Sequence, residues 1–93
     1  MKKEELYKLA IETYGDEAQI NQGIEEMAEL IQAVNKFRRD IGTWHDVVEE
    51  IVDVEIMMEQ YKIIFEISED KISRFKNKKL NRLAERLEAS ERD

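Results

Sequence analysis

The stretch EEMAEL, residues 25–30, places three carboxylates in a segment that otherwise has the pattern of an apolar helix. Glu26 lies in the same helical row as Leu30, Ala33 and Phe37, and such a row should face the interior of a helical domain. An unpaired carboxylate is costly to bury, so it takes up a proton, pairs with a cation or coordinates a metal.

A second acidic pair repeats this arrangement further along the chain. Glu50 and Asp53 lie in the same helical row as the apolar Met57. They interrupt the apolar pattern of their helix, as Glu26 and Glu29 interrupt that of the earlier helix. Residues three apart project from neighbouring points on one helix face, so two helices could surround one site with four carboxylates. A site made only of oxygen ligands suits Mg²⁺, Mn²⁺ or Ca²⁺ rather than zinc or copper.

Two other interpretations of these acids are open. Acidic pairs three residues apart are common on solvated helix faces, and this chain is rich in glutamate. The segment Lys71–Arg86 carries a net charge of +6 while the rest of the chain carries −13. This basic segment could therefore neutralise the acids through salt bridges.

Helical periodicity and sparse turn signals predict four helices. Gly42 is suited to a helix stop and Thr43 to the N-cap of the next helix. Ser68, followed by two acids, marks a further helix start. The predicted helices span residues 3–14, 16–40, 44–66 and 69–89.

The composition favours one all-α domain, 1–93, over a sheet. Apolar residues make up 42% and charged residues 40%, with no proline and three glycines. The two long helices have apolar faces broad enough to pack on two sides, as in a helix bundle. Because 93 residues is small for an independent core, a core shared between subunits would relieve the size problem. We therefore expect an oligomeric four-helix bundle.

The same composition argues against several classes of protein. The chain has no cysteine, which excludes disulfides and thiolate metal sites and is compatible with a cytoplasmic location, which we expect. No signal peptide or membrane span is visible, so no membrane partner is expected. The net charge of −7 argues against binding of nucleic acid.

The spacing Glu26-x-x-Glu29, then Glu50-x-x-Asp53, resembles the signature of the all-α nucleoside triphosphate pyrophosphohydrolases, the superfamily of MazG, the dimeric dUTPases and the dCTP pyrophosphatases. The surrounding sequence, over residues 14–87, also resembles the small single-domain bacterial and phage members of this superfamily. The stretches that carry the resemblance are YGDEAQINQGIEEMAEL, EEIVDVEIMMEQ and KKLNRLAERL. Ala28 stands where MazG-like chains often have glycine, and the insertions of dimeric dUTPases are absent, so base preference does not carry over.

The resemblance implies a MazG-like bundle assembled as a homodimer or homotetramer, with its site completed across subunits. It implies hydrolysis of a nucleoside triphosphate to a monophosphate and pyrophosphate, with Mg²⁺, or Mn²⁺ as a substitute, as cofactor. The four acids of the two pairs would be the metal ligands. The general base would be Glu29 or Glu25, Lys79 and Arg82 would contact phosphate, and Gln19 and Gln22 would contact the base.

Two alternative functions keep the helical fold without the reaction. One is a non-catalytic helical oligomer that binds nucleotide or a protein partner. The other is a nucleic-acid-binding module that uses the basic segment Lys71–Arg86, against which the net charge and the lack of interleaved aromatic residues count.

Overall fold

The protein is all-helical in the computed structural model, which describes residues 1–92. Asp93, the last residue of the predicted domain, lies outside the described residues. No strand occurs within residues 1–92, and the predicted helix ends fall within three residues of the observed ones. The all-α class and the number of helices are therefore confirmed. The helices are α1 (Lys3–Tyr14), α2 (Asp16–Arg38), α3 (Trp44–Ile64) and α4 (Glu69–Arg92).

The predicted starts of α3 and α4 are confirmed by their capping hydrogen bonds. The Thr43 hydroxyl accepts from the backbone N–H of Asp46 at 3.1 Å, and the Asp46 carboxylate accepts from the Thr43 N–H at 3.4 Å. This reciprocal capping box satisfies two backbone donors at the start of α3. The Ser68 hydroxyl accepts in the same way from the N–H of Lys71 at 3.1 Å.

The expectation that Gly42 stops α2 is wrong. The helix ends at Arg38, and Asp40 adopts the left-handed conformation with φ of 59°. The Ile41 N–H then donates to the Lys36 carbonyl at 3.0 Å, which closes the helix end. Gly42 serves close packing instead, because a Cβ there would lie 2.9 Å from the Cβ of Lys36.

The contact between α2 and α3 is antiparallel and is fixed at one end by polar side chains. The Gln19 amide donates to Gln60 at 2.7 Å, and both residues are buried. The Tyr61 hydroxyl donates to the Ile20 carbonyl at 2.6 Å, and its ring lies against Gly23. A Cβ on Gly23 would overlap that ring, so glycine permits the close approach of the two helices here.

The folded body consists of α1, α2 and α3, while α4 extends away from it. Among the described residues, no Cα of α4 lies within 8 Å of a Cα in the other three helices. The radius of gyration is 17.0 Å, whereas a compact chain of this length has about 12 Å. A single chain thus places three of its four helices in one packed unit.

Much of the apolar surface of this body is uncovered. Met57, 5% exposed, is the one buried apolar side chain within the described part of the chain. On α2, the stripe containing Ile24 and Ile31 faces outward, with exposed fractions of 55% and 63%. The two long helices therefore do have apolar surface on more than one side, as expected. Between residues 1 and 92, none of the helices has the length and apolar character to cross a membrane.

Candidate metal centre

Carboxylates from α2 and α3 converge on one point between the two helices. Glu26, Glu29 and Glu50 each present one oxygen, and these three oxygens lie within 4.8 Å of one another. Oxygens on opposite sides of an Mg²⁺ ion lie about 4.2 Å apart, since each Mg–O distance is about 2.1 Å. The spacing of the three oxygens is thus close to what one hard divalent cation requires.

Two of these carboxylates each have one buried oxygen without a partner. Oε2 of Glu26 and Oε2 of Glu50 are both inaccessible to solvent, and neither has a hydrogen-bond partner among residues 1–92. Buried side-chain oxygens are satisfied in the large majority of cases, and an unpaired carboxylate is especially costly. The prediction that acids interrupt the inward-facing rows is therefore confirmed for these two residues.

The fourth predicted ligand, Asp53, borders the same region from the side of α3. It lines a small cavity of about 140 Å³ together with Gln22, Glu26, Ile56 and Met57. Its side chain is exposed, and it does not belong to the group whose oxygens lie within 4.8 Å. Asp53 thus lies beside the centre and is not part of the cluster.

The acids shift one another's ionisation. Burial raises the pKa of the Glu26 carboxyl above its ordinary value of 4.5, and the charges of Asp53 and Glu29 raise it further, opposed by the hydrogen bond from Gln22. Burial likewise raises the pKa of Glu50, and the charges of Glu29, Glu26 and Asp53 add to the effect. All four predicted ligands are therefore close enough to interact electrostatically.

The two predicted base-contacting glutamines have different surroundings. Gln19 is buried, and its amide is occupied by Gln60, so a base would have to compete with this contact. Gln22 is exposed and donates to Oε1 of Glu26 at 2.8 Å. Sequence reasoning missed this orienting role of Gln22, although the spacing of four residues to Glu26 is a signal for it.

The remaining predicted site residues lie outside the cluster. Glu25 is exposed on α2, one position before Glu26. Lys79 and Arg82 are exposed on α4, and no Cα of this helix lies within 8 Å of a Cα in α2 or α3. Within the described chain, no salt bridge joins the basic residues of α4 to the acidic cluster, so this helix does not neutralise those acids.

Comparisons with protein-family models, with curated proteins and with solved structures found no match to this chain. The assignment to the pyrophosphohydrolase superfamily therefore stays a hypothesis, carried by the acidic motifs and by the geometry of the cluster.

Proposed function

We propose that this protein is a Mg²⁺-dependent nucleoside triphosphate pyrophosphohydrolase of MazG-like type. The observation that carries the proposal is the pair of buried, unpartnered oxygens on Glu26 of α2 and Glu50 of α3, in a cluster that also includes Glu29 of α2. A divalent cation would satisfy both oxygens and offset the repulsion among the acids. The chain then has a reason to keep like charges together in its interior.

The proposed ligands are Glu26, Glu29, Glu50 and Asp53. Held there, Mg²⁺ or Mn²⁺ would supply positive charge that offsets the charge of the phosphate groups and would lower the pKa of an attacking water. The donor set fits a hard ion, because all of its members are carboxylates. Gln22 holds Glu26 in place through its amide, at 2.8 Å.

Glu29 is the preferred general base, with Glu25 as the alternative. Glu29 is exposed and belongs to the cluster, so it reaches both solvent and the reacting phosphate. The water oxygen bonds to the α-phosphorus, the bond to the bridging oxygen breaks, and pyrophosphate leaves with that oxygen. The carboxylate takes the proton that the water loses.

Lys79 and Arg82 are the proposed phosphate contacts. Since α4 does not approach the acids of its own chain, these residues would come from a second copy in a homodimer or homotetramer. Arginine suits bidentate contact with phosphate oxygens. Arg82→Lys should therefore raise KM more than it lowers kcat, as measured by steady-state kinetics.

The decisive experiment measures pyrophosphate release from the common and damaged nucleoside triphosphates with Mg²⁺ or Mn²⁺. Glu50→Gln keeps the size of the side chain but removes a ligand charge, so kcat/KM should fall about 100-fold or more on the best substrate. Isothermal titration with Mn²⁺ should show weaker metal binding by the same variant.

Glu49→Gln is the matched control. Glu49 lies one position away on α3, is exposed and pairs with His45 at 3.4 Å. The same charge is removed at a place that the site does not use, so activity should stay within about twofold of the parent. Equal activity of the Glu50→Gln variant and the parent would refute the metal assignment.

A non-catalytic oligomer that binds a nucleotide or a protein is the second candidate. The uncovered apolar surface of α2 and α3 favours it, because such surface marks association. Nucleotide binding with Mg²⁺, in the absence of pyrophosphate release from every substrate tested, would support this candidate over the enzyme.

A further inference from the structure

A long apolar groove runs between α1 and α3, beside the acidic centre. Its volume is about 1470 Å³. Leu6, Tyr7 and Ala10 of α1 form one wall, and Val52 and Ile56 of α3 belong to the other. Leu6 is 50% and Val52 is 47% exposed, so the floor of this groove is apolar surface without a cover.

The groove has the dimensions of a helix. About three turns of helix, roughly 10 Å across and 16 Å long, occupy close to 1300 Å³. Nothing in the described part of the chain fills this space. The occupant is therefore expected to be a helix that the α1–α3 body does not itself supply.

The rim of the groove is acidic. Lys62, one of its two basic residues, is already paired with Glu59 at 2.9 Å and with Glu69 at 2.7 Å. The hydrogen bonds that Lys62 donates to Glu69 and Glu59 raise the pKa of Lys62, so it stays charged and neutralises these two acids in part. The acids that line the groove are Glu4, Glu55, Glu59, Glu66 and Glu69, against Lys3 and Lys62.

α4 has the complementary surface. At 100° per residue, its large apolar residues and four of its basic residues share an arc of about 160° on one side of the helix, while Lys71, Arg74 and Lys78 lie outside this arc. Phe75, Leu80, Leu83 and Leu87 are 62%, 53%, 42% and 57% exposed, and within the described chain their Cα atoms lie more than 8 Å from those of the other helices. The basic residues that share the arc are Lys76, Lys79, Arg82 and Arg86.

The turn before α4 prevents the helix from entering the groove of its own chain. Glu66 takes the left-handed conformation, with φ of 54°, and the Ile67 N–H donates to the Lys62 carbonyl at 2.8 Å. The ion pair of Lys62 with Glu69 then fixes the first turn of α4. Glu69 also lines the groove, so α4 begins at the edge of the groove and extends away from it.

We propose that α4 of a second copy lies in this groove, and that two copies exchange their α4 helices around a two-fold axis. Each chain offers one helix and one groove, so the exchange closes as a dimer and leaves neither unpaired. The basic arc of α4 meets the acidic rim, and the apolar row meets the apolar floor. Each half of the dimer then contains four packed helices.

The uncovered area is what a stable dimer requires. The chain exposes 7810 Å², whereas a folded monomer of 11.1 kDa exposes about 5700 Å². The excess of about 2100 Å² per chain is within the range of obligate dimers, which bury about 2000–5000 Å² in total. A partner that covers this excess restores the surface of an ordinary folded protein.

The test uses the full chain and two single-cysteine variants, because the natural sequence has no cysteine. Ala10→Cys places a thiol in the groove, and Ser90→Cys places one on the arc of α4, three residues after Leu87. When the two variants are mixed and treated with a short thiol-to-thiol cross-linker, we expect a covalent dimer containing one of each. Gln32→Cys, on exposed α2 surface, should not cross-link with Ser90→Cys.

A charge variant tests the same interface without chemical cross-linking. Leu83→Glu should convert the dimer into monomers, with a dissociation constant raised at least about 100-fold, as measured by analytical ultracentrifugation. Asn81→Glu adds the same charge on the opposite side of α4 and should leave the dimer intact. Circular dichroism confirms that both variants remain helical.

Three results would overturn the exchange of α4. They are a monomeric parent protein, a dimer that Leu83→Glu does not weaken, and a monomer whose α4 binds vesicles of phosphatidylcholine with phosphatidylserine instead. Glu50→Gln should leave the dimer unchanged, so failure of the proposed reaction and failure of this interface are separately visible.

Discussion

Glu26 and Glu50 make the stability of this protein depend on what satisfies their inner oxygens. Each holds one carboxylate oxygen in the α2–α3 contact with no partner among residues 1–92. A proton or a cation relieves that state, because an unpaired carboxylate is costly to bury. These buried oxygens without partners distinguish the acidic cluster from an ordinary solvated helix face.

Stability without metal should fall as the pH rises above the ordinary glutamate value of 4.5. The pKa values of Glu26 and Glu50 are raised in the folded state, so in that window the folded chain holds protons that the unfolded chain has released. Stability then decreases with pH, because the unfolded state binds fewer protons. Urea unfolding in EDTA at about pH 5.5 and about pH 7.5 should show the higher midpoint at the lower pH.

The double variant Glu26→Gln/Glu50→Gln supplies the control for this pH dependence. It removes both raised carboxyls, so the difference in midpoint between the two pH values should shrink. Millimolar Mg²⁺ should raise the midpoint of the parent at about pH 7.5 and not that of the variant, since a ligand that binds the folded state stabilises it. A parent that is indifferent to both pH and Mg²⁺ would remove the support for a metal centre.

Gly23 is required because the ring of Tyr61 lies against it, and not because its backbone adopts the left-handed conformation. Gly23→Ala should destabilise the protein by about 1–3 kcal/mol, because the new Cβ would overlap the tyrosine ring. The sign should reverse in a Tyr61→Ala background, where only the better helix propensity of alanine remains, worth about 1 kcal/mol. Chemical unfolding of the four proteins in this cycle measures both effects, and additive changes would contradict the contact.

Among the elements, α4 is defined by its ends rather than by its packing. Its start is set by the Ser68 cap and by the ion pair of Lys62 with Glu69, both of which lie at the α3–α4 turn. From Ser73 to Glu91 its side chains are exposed in a single chain. An amphipathic helix without a partner is marginal in water, so the stability of α4 should depend on association.

The α3–α4 turn can be tested at Glu66. Glu66→Gly should stabilise the protein by about 0.5–1 kcal/mol, because glycine adopts the left-handed conformation without the strain of a Cβ. Glu66→Ala removes the same charge but keeps the Cβ, so it should not stabilise to the same extent. Thermal unfolding of both variants separates the backbone effect from the charge effect.

At the scale of the whole molecule, shape and surface indicate an assembly. The radius of gyration of 17.0 Å and the exposed area of 7810 Å² both exceed what a compact chain of this size has. The charge is also divided, since Lys71–Arg86 is basic and the remainder is acidic. If two copies place the basic segment of one on the acidic body of the other, the contact covers exposed surface and brings α4 into a compact assembly.

Thermal stability should therefore depend on protein concentration. If the folded state is a dimer, a tenfold dilution lowers the midpoint of unfolding by several degrees, because dissociation and unfolding are coupled. Differential scanning calorimetry over a hundredfold range of concentration measures this shift. The same midpoint at every concentration would show that the single chain is stable by itself.

The sequence by itself determined the helices and the acidic rows. The 3.6-residue periodicity, the Thr43 and Ser68 caps and the lack of proline are local signals, and they placed all four helices within three residues of their ends. Local signals also placed Glu26 and Glu50 in rows that face inward, because side-chain direction follows helical phase. They failed at the end of α2, where Asp40 rather than Gly42 takes the left-handed position.

Only the tertiary structure decided which acids meet and where α4 goes. The crossing of α2 and α3 brings an oxygen of Glu50 to those of Glu26 and Glu29 and leaves Asp53 at the edge. Helical phase carries no information about distances between helices, which are set by packing around Gly23 and Tyr61. The direction of α4 depends on a turn of a few residues. The amphipathic pattern of α4 would be the same whether the helix packed on its own chain or on a second copy.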